Sequence, residues 1–266
     1  MQTIEAIKVF WPAALTGIIC SLLASLLIVA TKRWHGSFSM DGTNGVQKFH
    51  TAPTPRIGGI ALAVGFLGTW FVLPHGFTQG TATLLGLILI GGIPAFAAGL
   101  LEDFTKTVSV KVRLFATAAS GLLAALITGY WVNSVHVPGI DSLLAFAPVG
   151  ILFTAFAIAG IANSVNIIDG FNGLASGVVL LMLLTIGVIA YRVDDTAVLN
   201  LAILGAAVVA GFMAVNPSLY KNLTYNSVTD FSPVILLVKA PLLLVVNPTV
   251  QAQSLSEFIE LARRNP

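Results

Sequence analysis

Charged side chains are scarce in this 266-residue chain: Asp, Glu, Lys and Arg make up 9% of it, while 56% is hydrophobic. Because soluble proteins carry about 25% charged residues, the chain lacks the polar surface of a water-soluble globule. The 13 basic and 11 acidic residues give a net charge of +2 without any basic run, so nucleic-acid binding is excluded. Cys20 is the single cysteine, which excludes an internal disulfide and a cysteine-rich metal site.

Long apolar runs are abundant instead. A membrane-spanning helix needs about 20 apolar residues, and several runs approach that length. They cover residues 9–31, 57–73, 83–101, 114–132, 143–162, 173–191 and 197–215. Lys32 and Arg33 follow the first run, whereas a signal peptide has its basic residues before the apolar run, so we expect a retained span. The composition predicts an all-α polytopic membrane protein with about seven transmembrane helices.

Basic residues are distributed unevenly between these spans. Segments 32–56 and 102–113 are rich in Lys and Arg, whereas segments 74–82 and 133–142 contain neither. Because basic loops stay on the cytoplasmic side, we expect the N-terminus outside and the two basic loops inside. Counting the crossings places the polar loop 163–172 inside as well.

The composition changes near residue 216. Charged residues rise from about 8% of residues 1–215 to about 14% of residues 216–266. The apolar pieces 234–238 and 242–246 are too short to span a membrane and predict buried strands. Ser254 and Glu257 form a capping box before a short helix. We therefore predict two domains, residues 1–215 in the membrane and a soluble-type α/β fragment over residues 216–266.

The first cytoplasmic loop carries groups that suit phosphate. Lys48, His50 and Arg56 lie around a segment that two prolines stiffen, and Gly58-Gly59 allows close approach as the next span begins. The alternative is that the two longer basic side chains only obey the positive-inside rule and extend to lipid headgroups.

The second cytoplasmic loop begins with the adjacent carboxylates Glu102 and Asp103. Neighbouring carboxylates at a membrane boundary repel each other unless a cation compensates, and hard oxygen ligands suit Mg²⁺. A solvated acidic helix end is the alternative interpretation.

The third cytoplasmic loop carries a polar residue at every third position. These residues are Asn163, Asn166, Asp169 and Asn172, a spacing that places most of them on one face of a tightened helical turn. Amides and a carboxylate at a membrane boundary are costly and indicate a function. Helix capping beside glycine is the alternative.

Together these motifs resemble the polyprenyl-phosphate N-acetylhexosamine-1-phosphate transferases of glycosyltransferase family 4. The resemblance covers about residues 1–215. Its specific marks are Lys48-Phe49-His50, residues 53–59 (Pro-Thr-Pro-Arg-Ile-Gly-Gly), Glu102-Asp103 and residues 163–173. It implies a multi-pass protein of the bacterial inner membrane whose active-site loops are cytoplasmic.

The resemblance also implies a reaction and its participants. A UDP-N-acetylhexosamine would give its sugar 1-phosphate to a polyprenyl phosphate lipid, with release of UMP and dependence on Mg²⁺, in the synthesis of cell-wall and lipopolysaccharide precursors. Asp103 and Asp169 would be catalytic, and Glu102 with Asp103 would bind the metal. Substrate would contact Lys48, His50, Thr54, Arg56, Asn163, Asn166 and Asn172. Whether the enzyme is a homodimer stays open.

The chain departs from the family pattern in two ways. Glu102 stands where the family has Asp, although its longer arm still ends in a carboxylate. The later acidic motif and histidine-rich loop of the family do not follow residue 215, and residues 216–266 instead resemble part of a solute-binding protein of tripartite tricarboxylate transport systems. We therefore expect a truncated transferase of little or no activity. The alternatives are a catalytically dead chimeric membrane protein and a component of a tricarboxylate uptake system.

Overall fold

The structure is a computed structural model that describes residues 2–34, 40–41, 54–73, 79–168 and 173–215. They belong to one compact unit, Met1–Lys221. The helices are α1 (Gln2–Ala30), α2 (Gly58–Val72), α3 (Gln79–Gly91), α4 (Ile93–Thr105), α5 (Val110–Thr128), α6 (Ile140–Leu144), α7 (Ala147–Ile168), α8 (Leu174–Arg192) and α9 (Thr196–Met213). Before α2, the short strands β1 (Met40–Asp41) and β2 (Thr54–Pro55) pair antiparallel. The predicted α/β fragment at residues 216–266 lies outside the described residues.

Long apolar helices dominate the described residues, which confirms the predicted all-α polytopic membrane fold. Five helices are long and apolar enough to cross a membrane, namely α1, α5, α7, α8 and α9, and the bent pair α3–α4 adds a sixth candidate. Helix α2 is also apolar but has only 15 residues. Its length is therefore about 22 Å, less than the roughly 30 Å of a hydrocarbon core. All seven predicted apolar segments thus overlap helices, but three are not simple spans: 57–73 falls on the short α2, 83–101 on the pair α3–α4, and 143–162 begins in the short α6 before α7.

The third predicted span, residues 83–101, is not one continuous helix. It is divided between α3 and α4, which are bent by 47° relative to each other. Gly91 and Gly92 lie at the break, and a proline occupies the first turn of α4. Pro94 has no backbone N–H to donate to the preceding turn, and its ring excludes a straight helix through this position. The predicted span therefore corresponds to a bent pair of helices, and apolar patterning does not register the backbone effect that bends it.

Small residues bring α1, α2 and α9 close together. A Cβ added to Gly65 of α2 would lie 2.8 Å from the Ser21 Cβ of α1 and 2.8 Å from a Val208 methyl of α9. The Ser21 hydroxyl also donates a 2.8 Å hydrogen bond to the Val208 carbonyl oxygen. In lipid, where apolar side chains gain little by leaving the solvent, such close packing and interhelical hydrogen bonds hold helices together. These three helices form the packed centre of the bundle.

A buried apolar cluster occupies one end of this centre. Its members come from the start of α1, the end of α2, α3 and α9; they are Phe10, Ala13, Leu73, Ala82, Leu85 and Leu204. Helix α9 is the most enclosed span, half of it being buried, against 11% of α7. Leu73 follows α2 while Arg56 precedes it, so the charged residues described below lie at the opposite end of the bundle.

Candidate active site

Antiparallel packing gathers several helix ends at the end of the bundle that carries Arg56. Phe212, at the end of α9, lies 3.2 Å from the position that a Cβ on Gly58 of α2 would occupy. Met213 lies 3.9 Å from the corresponding position on Gly177 of α8. The starts of α2 and α8 therefore share one end with the last turn of α9, and the predicted polar loops 32–56 and 163–172 both adjoin that end.

Helices α4 and α5 form a tight antiparallel hairpin that places Glu102 opposite Arg113. The backbone N–H of Ala95 donates a 2.9 Å hydrogen bond to the Ser120 hydroxyl. Glu102 lies seven residues after Ala95 on α4, and Arg113 lies seven residues before Ser120 on α5. Arg113 Nη1 is 2.7 Å from both carboxylate oxygens of Glu102. The two contacts therefore have the same register between the helices. The pairing of Glu102 with Arg113 is therefore set by the packing of the two helices.

The turn between α4 and α5 explains why this pair forms. Helix α4 ends at Thr105, and the capping residue Lys106 has a left-handed φ of 57° while its N–H donates to the Glu102 carbonyl oxygen. Helix α5 begins after Ser109, whose hydroxyl accepts a 3.4 Å hydrogen bond from the Val112 N–H. Glu102 stands four residues before Lys106 and Arg113 four residues after Ser109. Residues equally distant from a short turn meet across an antiparallel hairpin.

Arg56 adds a second guanidinium to the cluster. Its Nη2 lies 3.7 Å from Glu102 Oε1, and its Nε lies 3.7 Å from Asp103 Oδ1. All four side chains are partly buried, with exposures from 17% for Glu102 to 27% for Arg56. Two carboxylates and two guanidiniums thus lie together at the end of an apolar bundle, and we refer to these four residues as the arginine–carboxylate cluster.

The structure places the amides of α7 level with the cluster. Gly121 on α5 is packed against Ala155 on the antiparallel α7, so that an added Cβ would lie 2.9 Å from the Ala155 Cα. Arg113 lies eight residues before Gly121 on α5, and Asn163 lies eight residues after Ala155 on α7. Because the helices are antiparallel, Arg113 and Asn163 are at the same level of the bundle. Asn163 is half-buried and Asn166 is exposed. Within the described ranges no hydrogen bond joins either amide to the cluster, so the amides share its level without being hydrogen-bonded to it.

The third predicted loop starts later than expected. Helix α7 continues to Ile168, so Asn163 and Asn166 are in its last turns and not in a loop. The first glycine that could end the helix is Gly170, which explains the extension. Asp169 and Asn172 lie outside the described residues, as do Lys48 and His50 of the first loop. Thr54 is in β2, paired with Asp41.

Arg113 is the residue that the sequence interpretation missed. The sequence pattern indicates only that Arg113 adds to the positive charge of the inside loop, without a role in the site. The sequence signal for Arg113 is that it lies as many residues after the α4–α5 turn as Glu102 lies before it. Pairing opposite charges across a predicted helical hairpin therefore identifies Arg113 as the partner of Glu102.

Of the two carboxylates predicted to bind Mg²⁺, Glu102 and Asp103, only one is suited to be a ligand in this structure. Carboxylate oxygen is the ligand type that Mg²⁺ prefers. Both oxygens of Glu102, however, already accept from Arg113 at 2.7 Å. Among the described residues there is no group of three or more His, Cys, Asp or Glu side chains that could hold a metal ion. Within this part of the chain, Asp103 is the better candidate ligand and Glu102 does not fit the assignment.

Comparison with known proteins gives matches on both sides of residue 216. The tripartite tricarboxylate transporter family receptor model matches residues 189–266, which confirms the resemblance of the tail and extends it into α8 and α9. The glycosyl transferase family 4 model matches residues 85–220, about half of the chain. This second match includes Glu102, Asp103, Asn163 and Asn166.

Curated relatives carry transferase names. A phospho-N-acetylmuramoyl-pentapeptide-transferase of Streptococcus pyogenes serotype M12 is 35% identical over 185 residues, covering 64% of this chain and 53% of the relative. One from Streptococcus thermophilus is 32% identical, with the same coverage. A probable undecaprenyl-phosphate N-acetylglucosaminyl 1-phosphate transferase of Bacillus subtilis is 29% identical, covering 64% of this chain and 46% of the relative. The chain spans about half the length of these relatives, and it belongs to glycosyl transferase family 4.

Proposed function

We propose that this protein transfers a sugar 1-phosphate from a UDP-N-acetylhexosamine to polyprenyl phosphate and releases UMP. Family membership and the names of the curated relatives support this reaction class. The candidate spans make the protein a multi-pass membrane protein, and we place it in the bacterial inner membrane with the arginine–carboxylate cluster on the cytoplasmic side, where the UDP-sugar is available.

The observation that carries the proposal is the arginine–carboxylate cluster at the end of an apolar bundle. Polyprenyl phosphate is a molecule with a long apolar tail and a dianionic head. A site for it needs an apolar surface along the spans and cationic donors at the boundary, and Arg56 offers such a donor beside the start of α2. Guanidinium groups bind phosphate through paired, charge-assisted hydrogen bonds.

The carboxylate of Asp103 lies next to this donor, with its Oδ1 3.7 Å from Arg56 Nε. We assign it to the reacting end of the lipid, where it would orient the phosphate oxygen that attacks the UDP-sugar. Phosphoryl transfer depends mainly on positioning and on neutralising charge. Bound Mg²⁺, held by Asp103, would supply charge neutralisation on the diphosphate.

The remaining predicted residues complete the assignment. Asn163 and Asn166 are on α7 at the level of the cluster, and they would form hydrogen bonds with the nucleotide or sugar. The sequence motif adds Asp169 as a second catalytic carboxylate. Phosphate and sugar contacts are assigned to Lys48, His50, Thr54 and Asn172.

Ligand binding tests this proposal with the full 266-residue chain in detergent. Native mass spectrometry would count bound undecaprenyl phosphate and UDP-N-acetylglucosamine in the presence of Mg²⁺. We expect both to bind, and Arg56→Gln to weaken lipid phosphate binding about ten- to hundredfold, since it removes hydrogen bonds to a charged group. Lys111→Gln, an exposed charge on α5, is the matched control. Absence of saturable binding of either ligand by the unaltered chain would contradict the proposal.

The match of residues 189–266 favours a second candidate, a component of a tricarboxylate uptake system. This candidate predicts that the full chain binds citrate saturably and that undecaprenyl phosphate does not affect the binding. Calorimetry with citrate separates the two candidates, and we expect no citrate binding.

A further inference from the structure

The α5–α7 loop, residues 129–146, lies at the end of the bundle opposite the arginine–carboxylate cluster and is folded back onto the start of α7. The Val132 N–H donates a 2.9 Å hydrogen bond to the hydroxyl of Thr154, a buried residue of α7. A Cβ added to Gly150 of α7 would lie 2.6 Å from Trp131 Cδ1, so the loop backbone and α7 pack closely. The loop is therefore held in place against a membrane-spanning helix.

Although the loop is held in place, it exposes large apolar side chains. Leu143 in α6 is 62% exposed and Phe146 is 65% exposed, and Ile140 is exposed as well. The Phe146 N–H donates to the Leu143 carbonyl oxygen, so the helical turn continues to Phe146. Residues three apart lie on one side of such a turn, whereas Asp141 and Ser142 lie outside that side. We refer to Ile140, Leu143 and Phe146 as the apolar face of the loop.

Charge is scarce around this face. Asp141 is the single Asp, Glu, Lys or Arg between residues 114 and 168. The α8–α9 connection at the same end of the bundle differs, because it carries Arg192, Asp194 and Asp195 within four residues. Contiguous exposed apolar side chains mark a surface that contacts a membrane or another protein. The α5–α7 loop thus has the surface of an interaction site, and the α8–α9 connection that of a solvated turn.

The helices beside the loop are too short to cross a membrane from the level of the cluster. From Arg113 to the end of α5 at Thr128 the helix rises about 22 Å, and from Asn163 back to the start of α7 at Ala147 about 24 Å. The hydrocarbon core of a bilayer is about 30 Å thick. With the charged cluster at one boundary, about 6–8 Å of hydrocarbon remain beyond the ends of both helices.

We propose that the α5–α7 loop is an interfacial anchor, whose apolar face inserts among the acyl chains of the leaflet opposite the cluster while Asp141 and Ser142 face headgroups and water. Lipid is the partner because the face continues the exposed apolar surface of the membrane-spanning α7, where Leu152 and Phe156 face outward. Insertion fixes the depth of α5 and α7 in the membrane. The inference does not depend on the reaction proposed above.

Spin-label accessibility tests this anchor in the full chain, in a Cys20→Ala background and in vesicles of phosphatidylethanolamine and phosphatidylglycerol. Labels at Leu143→Cys and Phe146→Cys report on the apolar face. A label at Leu152→Cys is the reference for a lipid-facing span, and one at Ser142→Cys is the matched control beside the face. We expect the first two labels to collide readily with oxygen and rarely with a water-soluble nickel chelate, at a depth of about 5–10 Å. The Ser142 label should show the reverse.

Two results would overturn the proposal. Nickel access at Leu143 and Phe146 equal to that at Ser142 would show that the face lies in water. Low access of both probes at these positions would show that a second copy of the chain or another protein covers the face. Ile140→Cys provides a third position on the same face, so that a local distortion by one label does not decide the result.

Discussion

Gly121 on α5 packs directly against the backbone of Ala155 on α7, and an added Cβ would lie 2.9 Å from the Ala155 Cα and 3.1 Å from the Ile158 Cβ. This contact sets the level at which α7 stands beside the α4–α5 hairpin. The same register brings Asn163 level with Arg113. The position of the amides relative to the cluster therefore depends on a glycine about 12 Å along the helix from Arg113, since eight residues rise about 1.5 Å each.

Replacing this glycine should separate the two helices. We expect Gly121→Val to lower the unfolding temperature in detergent by about 3 to 10 °C, because overpacking at a backbone contact costs about 1–3 kcal/mol. Gly160→Ala on α7 is the control, since nothing lies within 4 Å of its added Cβ. Equal stability of the two variants would show that the α5–α7 contact is not as close as described.

The membrane orientation can be tested with cysteine labelling. In a Cys20→Ala background, Thr107→Cys lies in the α4–α5 turn and Ser142→Cys lies in α6. An impermeant thiol reagent added to intact cells should label the second variant and leave the first unlabelled until the cells are opened. Labelling of Thr107→Cys in intact cells would place the arginine–carboxylate cluster outside and remove it from the UDP-sugar.

The loop between α5 and α7 should depend on the ionisation of Asp141. The pKa of this carboxyl is lowered, chiefly because the Val135 backbone N–H donates to it, at 2.7 Å from Oδ1. Since the folded-state pKa lies below the unfolded value of about 3.9, the contribution is fully present above that value. It is lost as the pH falls through the lower folded pKa.

Hydrogen–deuterium exchange, corrected for the intrinsic effect of pH, measures this contribution. We expect Asp141→Ala at neutral pH to expose the Val135 amide to faster exchange, and acidification of the unaltered chain through the lowered folded-state pKa of Asp141 to have the same effect. Asp194→Ala, in the short α8–α9 connection, is the control. Unchanged protection of Val135 in Asp141→Ala would contradict the prediction.

Much of the fold follows from apolar run length, since every predicted span lies mostly in helical residues. The interruption near Pro94 depends on a missing backbone donor, which run length does not register. For the candidate site, the Arg56 and Glu102-Asp103 motifs indicated the charged groups that the structure brings together. Arg113 could not be found by motif because its role depends on the packing of α4 against α5. The level of Asn163 likewise depends on a close contact between α5 and α7.

A divalent cation should distinguish the two carboxylates. Electron paramagnetic resonance of free Mn²⁺, titrated against the full chain, gives its affinity without an activity assay. We expect Asp103→Asn to weaken Mn²⁺ binding at least about tenfold, because it removes a carboxylate ligand. Glu102→Gln should change it by less than about threefold, because Glu102 is already paired with Arg113. The reverse order would assign the metal to Glu102.

The most direct measurement is UMP release by a hybrid in which residues 1–215 are followed by the portion of the Bacillus subtilis relative that lies beyond the matched segment. With Mg²⁺, undecaprenyl phosphate and UDP-N-acetylglucosamine, we predict UMP release that Asp103→Asn lowers by about 100-fold or more and that Lys111→Gln leaves unchanged. A folded hybrid that binds both substrates but releases no UMP, or releases it equally well with Asp103→Asn, would contradict the assignment of the arginine–carboxylate cluster as the site of sugar 1-phosphate transfer.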